Sequence, residues 1–194
     1  MNSVPAIRLS WLSLLSQTPL AASRRGQRWA LAGVTVRRAH TRDAPQLSIL
    51  LSEWLKFEPK TGRTKSIRRA IRKREFLVAE ANSKVIGFVH FVMHEDVVDG
   101  GPNAFITAFY VSRAHRRRGV GSRLLRAVVA DSVKRGAVEV ETSTIHRSAK
   151  RFYERRHFRQ TMGDMAEAFL ELDVDEYMRA TRAFGSGHAN ALRR

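Results

Sequence analysis

The run Arg116-Arg117-Arg118-Gly119-Val120-Gly121 has the residue types to hold an anion. Glycines let backbone N–H groups turn toward negative charge without a Cβ in the way, and the arginines add attraction of their own. A segment with helical spacing opens near Ser122, so the partial positive end of that helix would face the same point. Such a loop suits a pyrophosphate. Further on comes Ala149-Lys150-Arg151-Phe152-Tyr153-Glu154-Arg155-Arg156-His157-Phe158, in which Tyr153 offers a phenol that can give a proton or a hydrogen bond. Glu95 and Asp96 are carboxylates at a strand end. His90 and His94 alternate on one strand face with no carboxylate cluster near them in sequence, so no metal site is expected there.

These residues need a scaffold, and the hydrophobic pattern supplies one. Val34 to Arg38 alternates like a strand, and Thr41-Arg42-Asp43-Ala44-Pro45 starts a helix carrying Leu47, Leu50, Leu51, Trp54 and Leu55. Lys60 to Arg74 is cationic; Ile67, Ala70 and Ile71 share one helical face while Lys65, Arg68, Arg69, Arg72 and Lys73 spread over the rest. Phe76 to Ala81 and Lys84 to Met93 flank the turn Asn82-Ser83. Asp99-Gly100-Gly101-Pro102-Asn103 then turns the chain into Ala104 to Val111, giving three antiparallel strands. After the glycine loop, Leu124, Leu125, Val128, Val129 and Val133 mark a helix that Gly136 stops. The crossover makes the next strand, Ala137 to Thr142, parallel to the one before the loop. A helix from about Ser148 to Arg156, a strand Ala168 to Leu172 and a helix Glu176 to Phe184 follow. The expected fold is α/β (α+β): one domain over 34–184, with a mixed, mainly antiparallel sheet of about six or seven strands flanked by helices. Residues 1–33 are expected to extend outside it, and 185–194 to form a loose tail.

Strand, basic glycine loop, helix, strand and Phe-Tyr-Glu helix in that order resemble the GCN5-related N-acetyltransferases over roughly Val34 to Leu172. The family's loop pattern, Arg or Gln, two residues, Gly, one residue, Gly or Ala, is met by Arg116, Gly119 and Gly121. Its later signature, Ala, two residues, Phe or Leu, Tyr, Glu, is met by Ala149, Phe152, Tyr153 and Glu154. The resemblance implies acetyl-coenzyme A as co-substrate, no metal, and direct attack in a ternary complex by a primary amine, whether a protein N-terminus, a lysine or a small molecule. Coenzyme A carries a pyrophosphate and a 3′-phosphate, so Arg116, Arg117, Arg118, Gly119, Val120, Gly121, Ser122 and Arg123 are the expected cofactor loop. In the family the strand before the loop splays from its parallel neighbour and pairs with the pantetheine arm, which implies Phe109, Tyr110 and Val111 as lining positions. The family's tyrosine at the place of Tyr153 assists the departing thiolate, whose pKa is roughly 8.5 by analogy with cysteine.

The group that takes the amine's proton is harder to assign. Many relatives carry a glutamate three residues ahead of the Tyr110-Val111 pair, but here that place is Thr107, which is no base at neutral pH. Relatives that acetylate ribosomal-protein N-termini have a glutamate on the next strand, five residues before an asparagine. Glu141 falls there, and His146 stands where the asparagine would be. His146 could donate a hydrogen bond near the cofactor, or titrate near neutrality. The family's usual glycine after the Phe-Tyr-Glu segment is His157. Because the first two helices commonly wall the acceptor groove in this family, the basic helix implies an acidic acceptor, or else a solvated cationic face.

The chain contains no cysteine, which excludes disulfides, cysteine-ligated zinc and a cysteine acyl-enzyme, and favours direct attack. A net charge of +17 implies attraction to polyanions; association with ribosomes or nucleic acid is open from charge alone, as is a homodimer. It also keeps a second reading, a catalytically weak acyl-CoA-binding module docked on ribosome or nucleic acid. The chain has no stacked-aromatic ladder to support a dedicated nucleic-acid reader. No apolar run approaches the roughly 20 residues needed to span a bilayer, so a soluble, cytoplasmic protein is expected. The first acidic residue is Asp43. The acid-poor opening reads as a transit-like segment, a partner-binding amphipathic arm or an upstream start without a folded role, and organellar targeting stays open.

Overall fold

Alternating apolar side chains put the strands in one sheet with a core on each face. The computed structural model describes residues 33–189 apart from 57, 59, 98–99 and 163–167. The extension over residues 1–32 and the final residues 190–194, with the readings placed there, lie outside the described residues. β1 (Val34–Arg38), β2 (Phe76–Ala81), β3 (Lys84–Asp96) and β4 (Gly101–Val111) pair antiparallel in chain order. β5 (Glu139–Thr144) lies parallel to β4, β7 (Ala168–Asp173) antiparallel to β5, and β6 (Arg159–Met162) antiparallel to β7, giving the order β1-β2-β3-β4-β5-β7-β6. This is a seven-stranded mixed sheet, within the expected fold class.

Helices α1 (Ala44–Leu55) and α2 (Arg63–Arg72) cover one face, burying Leu47, Leu50, Ile67 and Ile71 against Phe76, Val78, Phe88 and Tyr110. On the other face α3 (Val120–Lys134) and α4 (Arg147–Glu154) bury Leu124, Leu125, Val128 and Tyr153 against Val89, Phe91, Ile106, Val140 and Leu170. Each such side chain contributes about 1.5–3 kcal/mol when fully buried. Strand alternation therefore sends Phe109 and Val111 to the α3 side and Tyr110 to the α1 side. α5 (Val174–Ala189) runs past Phe184, so residues 185–189, expected in a loose tail, are helical. Gly185 and Gly187 each cost about 1 kcal/mol of helix propensity without breaking the hydrogen-bond ladder. Among the described residues no helix is long and apolar enough to cross a membrane.

Two irregularities shape the centre of the sheet. β4 and β5 pair only at Ala104↔Val140, Phe105↔Glu141 and Ile106↔Thr142, although β4 continues to Val111 and β5 to Thr144. The strands fork there, and the β4 backbone beyond Ile106 has no partner in β5. On its other edge β4 carries a bulge: His90 pairs with Ala108 and Phe91 with Ile106, which leaves Thr107 as the extra residue.

Candidate active site

Tyr153 stands at the base of the fork. α4 packs through an aromatic cluster, with Tyr153 edge-on to Phe109 at 6.2 Å between centroids and to Phe152 at 5.2 Å, and against Phe158 at 5.1 Å. Its hydroxyl shares a hydrogen bond with Thr142, the last β5 residue paired with β4, and the Thr142 hydroxyl donates to the Ile106 carbonyl at 3.2 Å. Burial pushes the Tyr153 pKa up to about 12, and the bond with Thr142 offsets part of that rise. The phenol is therefore a stable donor, placed where two strands part and a chain could lie between them.

The glycine loop closes the far end of that gap. Gly119 caps α3 at φ +78°, a left-handed conformation that costs other residues roughly 1–2 kcal/mol, so the helix starts at Val120 rather than near Ser122. A Cβ on Gly121 would lie 3.3 Å from Phe152 Cε2 and 3.6 Å from Phe109, so a residue without a side chain lets the first turn of α3 sit against the cluster. The first turn of a helix carries N–H groups with no intrahelical partner, and Arg117 and Arg118 beside it are exposed. Arg116, also exposed, folds back along β4: its Nε donates to the Val111 carbonyl at 2.8 Å and its guanidinium lies 5.1 Å from the Tyr110 ring centre. Ser122 Oγ accepts from Arg156 at 2.6 Å, and the Arg156 guanidinium stacks on Phe152 at 3.9 Å, tying α3 to the turn after α4.

On the α1 side of the sheet, acid-base groups gather beside the fork. Glu141 Oε1 accepts from Asn103 Nδ2 at 3.0 Å, and Oε2 lies 3.2 Å from His94 Nε2. Asn103 is fully buried and its Oδ1 accepts from the Glu139 N–H at 3.0 Å, so the side chain that holds Glu141 also bridges β4 to β5. Four residues along β4 from Asn103, the Thr107 hydroxyl contacts His90 Nδ1, while His90 Nε2 lies 3.6 Å from Glu75 Oε2. Burial lowers the His90 pKa, and the charge and hydrogen bond of Glu75 oppose that shift.

The residues expected from the sequence divide by position. Phe109, Val111, Gly119, Val120, Gly121, Ser122 and Tyr153 converge on the α3–α4 side, and Arg117 and Arg118 lie on its exposed rim. The Tyr110 side chain faces away, under α1, and donates to Glu53 Oε1 at 2.6 Å; burial and that bond raise its pKa. Only its backbone lines the fork. Arg123 is committed elsewhere, its N–H to the Gly119 carbonyl at 3.1 Å and its guanidinium to the Val34 carbonyl at 2.6 Å. His146 caps α4 with an exposed side chain that makes no cap hydrogen bond. His157 lines a separate cleft of about 210 Å³ at the β6–β7 edge, together with the ion pair Arg159–Glu176 at 2.5 Å. Among the described residues no group of three or more His, Cys, Asp or Glu is placed to hold a metal. Sequence reasoning missed the Glu75–His90–Thr107 contact; the sequence signal was a histidine and a threonine on neighbouring strands, but the pairing depends on a bulge that leaves no pattern.

No curated protein sequence matches the chain. Solved structures share its fold. The PaiA N-acetyltransferase of Thermoplasma acidophilum, solved in complex with coenzyme A, is 17% identical, covers 72% of this chain and 98% of its own, and superposes with a TM-score of 0.62. Ard1 of Thermoplasma volcanium is 20% identical over 73% of this chain and 98% of its own, with a TM-score of 0.61. Naa50 of Arabidopsis thaliana, solved with the bisubstrate analogue CoA-Ac-MVNAL, is 19% identical over 72% and 97%, with a TM-score of 0.59. The model of the acetyltransferase (GNAT) family matches residues 46–158, which span both motifs, the fork and Tyr153, and the chain belongs to that family.

Proposed function

We propose that the protein transfers an acetyl group from acetyl-CoA to a primary amine by direct attack within a ternary complex. The observation that carries this is the fork itself: an unpaired β4 edge, a buried phenol at its base and a helix N-terminus with exposed arginines at its far end. The fork fits the thioester arm of acetyl-CoA, which would pair with the β4 backbone at Phe109, Tyr110 and Val111. The N–H groups at the start of α3, with Arg117 and Arg118, fit the pyrophosphate. Of the neighbours named above, PaiA was solved with coenzyme A and Naa50 with the bisubstrate analogue CoA-Ac-MVNAL, in keeping with this reading.

With the thioester in the fork, its sulfur faces Tyr153, whose hydroxyl donates a hydrogen bond to the departing thiolate. The amine approaches from the α1 side. There Glu141, flanked by His94, takes the ammonium proton directly or through water and frees the lone pair for attack. The exposed cations Lys65, Arg68, Arg69 and Arg72 of α2 border that side and favour an acidic acceptor. A binding module without turnover accounts less well for a carboxylate and two histidines collected beside the fork.

Calorimetry with acetyl-CoA at about 0.3 M salt, where a Debye length of roughly 6 Å suppresses indiscriminate attraction, tests the cofactor half. Wild type binds. Gly119→Val/Gly121→Val, which strains the cap and pushes on Phe152, loses binding. Arg117→Ala/Arg118→Ala, altering only exposed side chains, weakens binding without unfolding the protein. Equal affinity in all three rejects the loop.

A further inference from the structure

Thr107 sits one position beyond Ile106, the last β4 residue paired across the fork, and the bulge turns it into the open groove, where it is exposed. Its hydroxyl meets His90 Nδ1 and is also within donating distance, 3.2 Å, of the His90 carbonyl oxygen, so its one proton can turn to either acceptor. Across the ring, His90 Nε2 faces Glu75 Oε2 at 3.6 Å, and the Phe76 ring packs on the imidazole at 4.5 Å between centroids. Glu75 is held by its backbone: its N–H donates to the Ala70 carbonyl and its carbonyl accepts from the Phe91 N–H. Hydroxyl, imidazole and carboxylate thus run in sequence from the groove into the protein, with about a fifth of the His90 and Glu75 side chains exposed.

We propose that Thr107, His90 and Glu75 form a proton relay that receives the second proton lost by the acceptor amine. The proposal rests on the acetyl-transfer reading and deepens it. An ammonium gives up two protons on becoming an amide: the first frees its lone pair, and the second leaves as the C–N bond forms. Glu141 takes the first. In the second step the amine nitrogen bonds to the thioester carbon, the C–S bond breaks, and the electron pair departs on the coenzyme A sulfur. At the same time the nitrogen's remaining acidic proton passes to Thr107 Oγ, and the Thr107 hydroxyl proton moves to His90 Nδ1. The imidazolium, facing Glu75, then releases its proton to solvent, and the thiolate takes one up. His90 must start neutral with its proton on Nε2, directed at Glu75, which leaves the Nδ1 lone pair to accept. Thr107 is the catalytic residue of this set, since it touches the amine; His90 and Glu75 act through it.

Burial keeps His90 below its ordinary pKa, so it is neutral and able to accept at pH 7. A base works in its deprotonated form, so activity rises with pH through the His90 pKa and is level above it. Glu75 is the carboxylate facing the ring, with Lys73 Nζ 4.0 Å from its other oxygen; His94 and Glu141 lie further along the same side. Removing the Glu75 charge lowers the His90 pKa further and moves that limb to lower pH.

The test measures turnover from pH 5 to 8.5 for wild type, Thr107→Val, Thr107→Ser and Glu75→Gln. The acceptors are peptides with free N-terminal Met, Ala or Ser, an Nα-blocked lysine peptide and spermidine. Because the chain has no cysteine, a thiol reagent reads released coenzyme A alone. Thr107→Val is expected to lower kcat on the order of a hundredfold with acetyl-CoA affinity unchanged. Thr107→Ser returns most of the rate, and Glu75→Gln shifts the acidic limb downward. An active wild type whose Thr107→Val variant keeps the full rate, or whose Glu75→Gln variant keeps the limb in place, overturns the relay and leaves the acetyl-transfer reading standing. A wild type that binds acetyl-CoA but acetylates none of these acceptors overturns both.

Discussion

Replacing Tyr153 with Phe removes one oxygen from a side chain that is 4% exposed and leaves its contacts with Phe109, Phe152 and Phe158 in place. The lost bond to Thr142 costs about 1 kcal/mol, a melting shift of a few degrees at most, since the Thr142 hydroxyl keeps its acceptor at Ile106. The effect on catalysis follows from the pKa. A phenol near 12 and a thiol near 8.5 differ by about 3.5, so complete proton transfer to the leaving sulfur is uphill by about 5 kcal/mol. Tyr153 therefore donates a hydrogen bond and keeps its proton. A hydrogen bond to a charged group contributes about 1.5–3 kcal/mol, which predicts a kcat roughly 10- to 150-fold lower in the variant with the KM for acetyl-CoA unchanged. The donor form persists up to about pH 12, so Tyr153 imposes no alkaline limb in the working range and the variant's pH profile keeps its shape. Steady-state kinetics from pH 6 to 10 check both points. A loss beyond about a thousandfold would require full proton transfer and refute this reasoning, as would an alkaline limb near pH 9 that vanishes in the variant.

Two further outcomes follow from the scaffold. Arg68→Glu/Arg72→Glu reverses exposed charges on α2, and the acceptor KM should rise while acetyl-CoA affinity at 0.3 M salt stays put; equal losses on both sides would reject a role in acceptor binding. Asp43 is buried and accepts from Arg37 at 2.7 and 3.1 Å. Burial raises its pKa, but the bonds from Arg37 and from the His40 N–H outweigh that and hold it below the ordinary 3.8. A depressed folded pKa contributes stability present above the unfolded value and lost as pH falls through the folded one. Arg37→Met leaves a buried carboxylate with only the His40 N–H and no cation beside it, and should cost about 3 kcal/mol at pH 7 by urea denaturation, the gap narrowing below about pH 4; a gap independent of pH would refute the pairing.

The elements were legible where local chemistry decides them. Asn82 and Ser83 both adopt positive φ in the tight turn read from their types, and Leu124, Leu125, Val128 and Val129 are buried at the spacing that marked α3. β6 was not legible, because Arg159–Met162 lacks alternation and pairs only as an edge strand against β7. The site divides along the same line. The glycine loop and Tyr153 lie within continuous motifs, so sequence exposes them. The Arg123 tether to Val34, the burial of Asn103 under Glu141 and the contact of Thr107 with His90 join residues 89, 38 and 17 apart, which only the folded sheet brings together.

The fork explains why those long-range pairs matter. A sheet normally separates its two faces, and here the separation is interrupted at one place, past Ile106 and Thr142. Thr142 points to the α4 side and meets Tyr153, while Glu141, its neighbour on β5, points to the α1 side and meets His94. A one-residue slip of β5 would exchange them, sending the carboxylate into the apolar cluster of Phe152 and Phe158 and the hydroxyl into the groove. Asn103 works against that slip, since its side-chain oxygen accepts from the Glu139 N–H while its side-chain nitrogen donates to Glu141. Asn103→Leu, with the same branching and number of heavy atoms but without either hydrogen bond, should therefore reduce acetyl transfer more than acetyl-CoA binding, because the gap survives while the groups on its acceptor side lose their register.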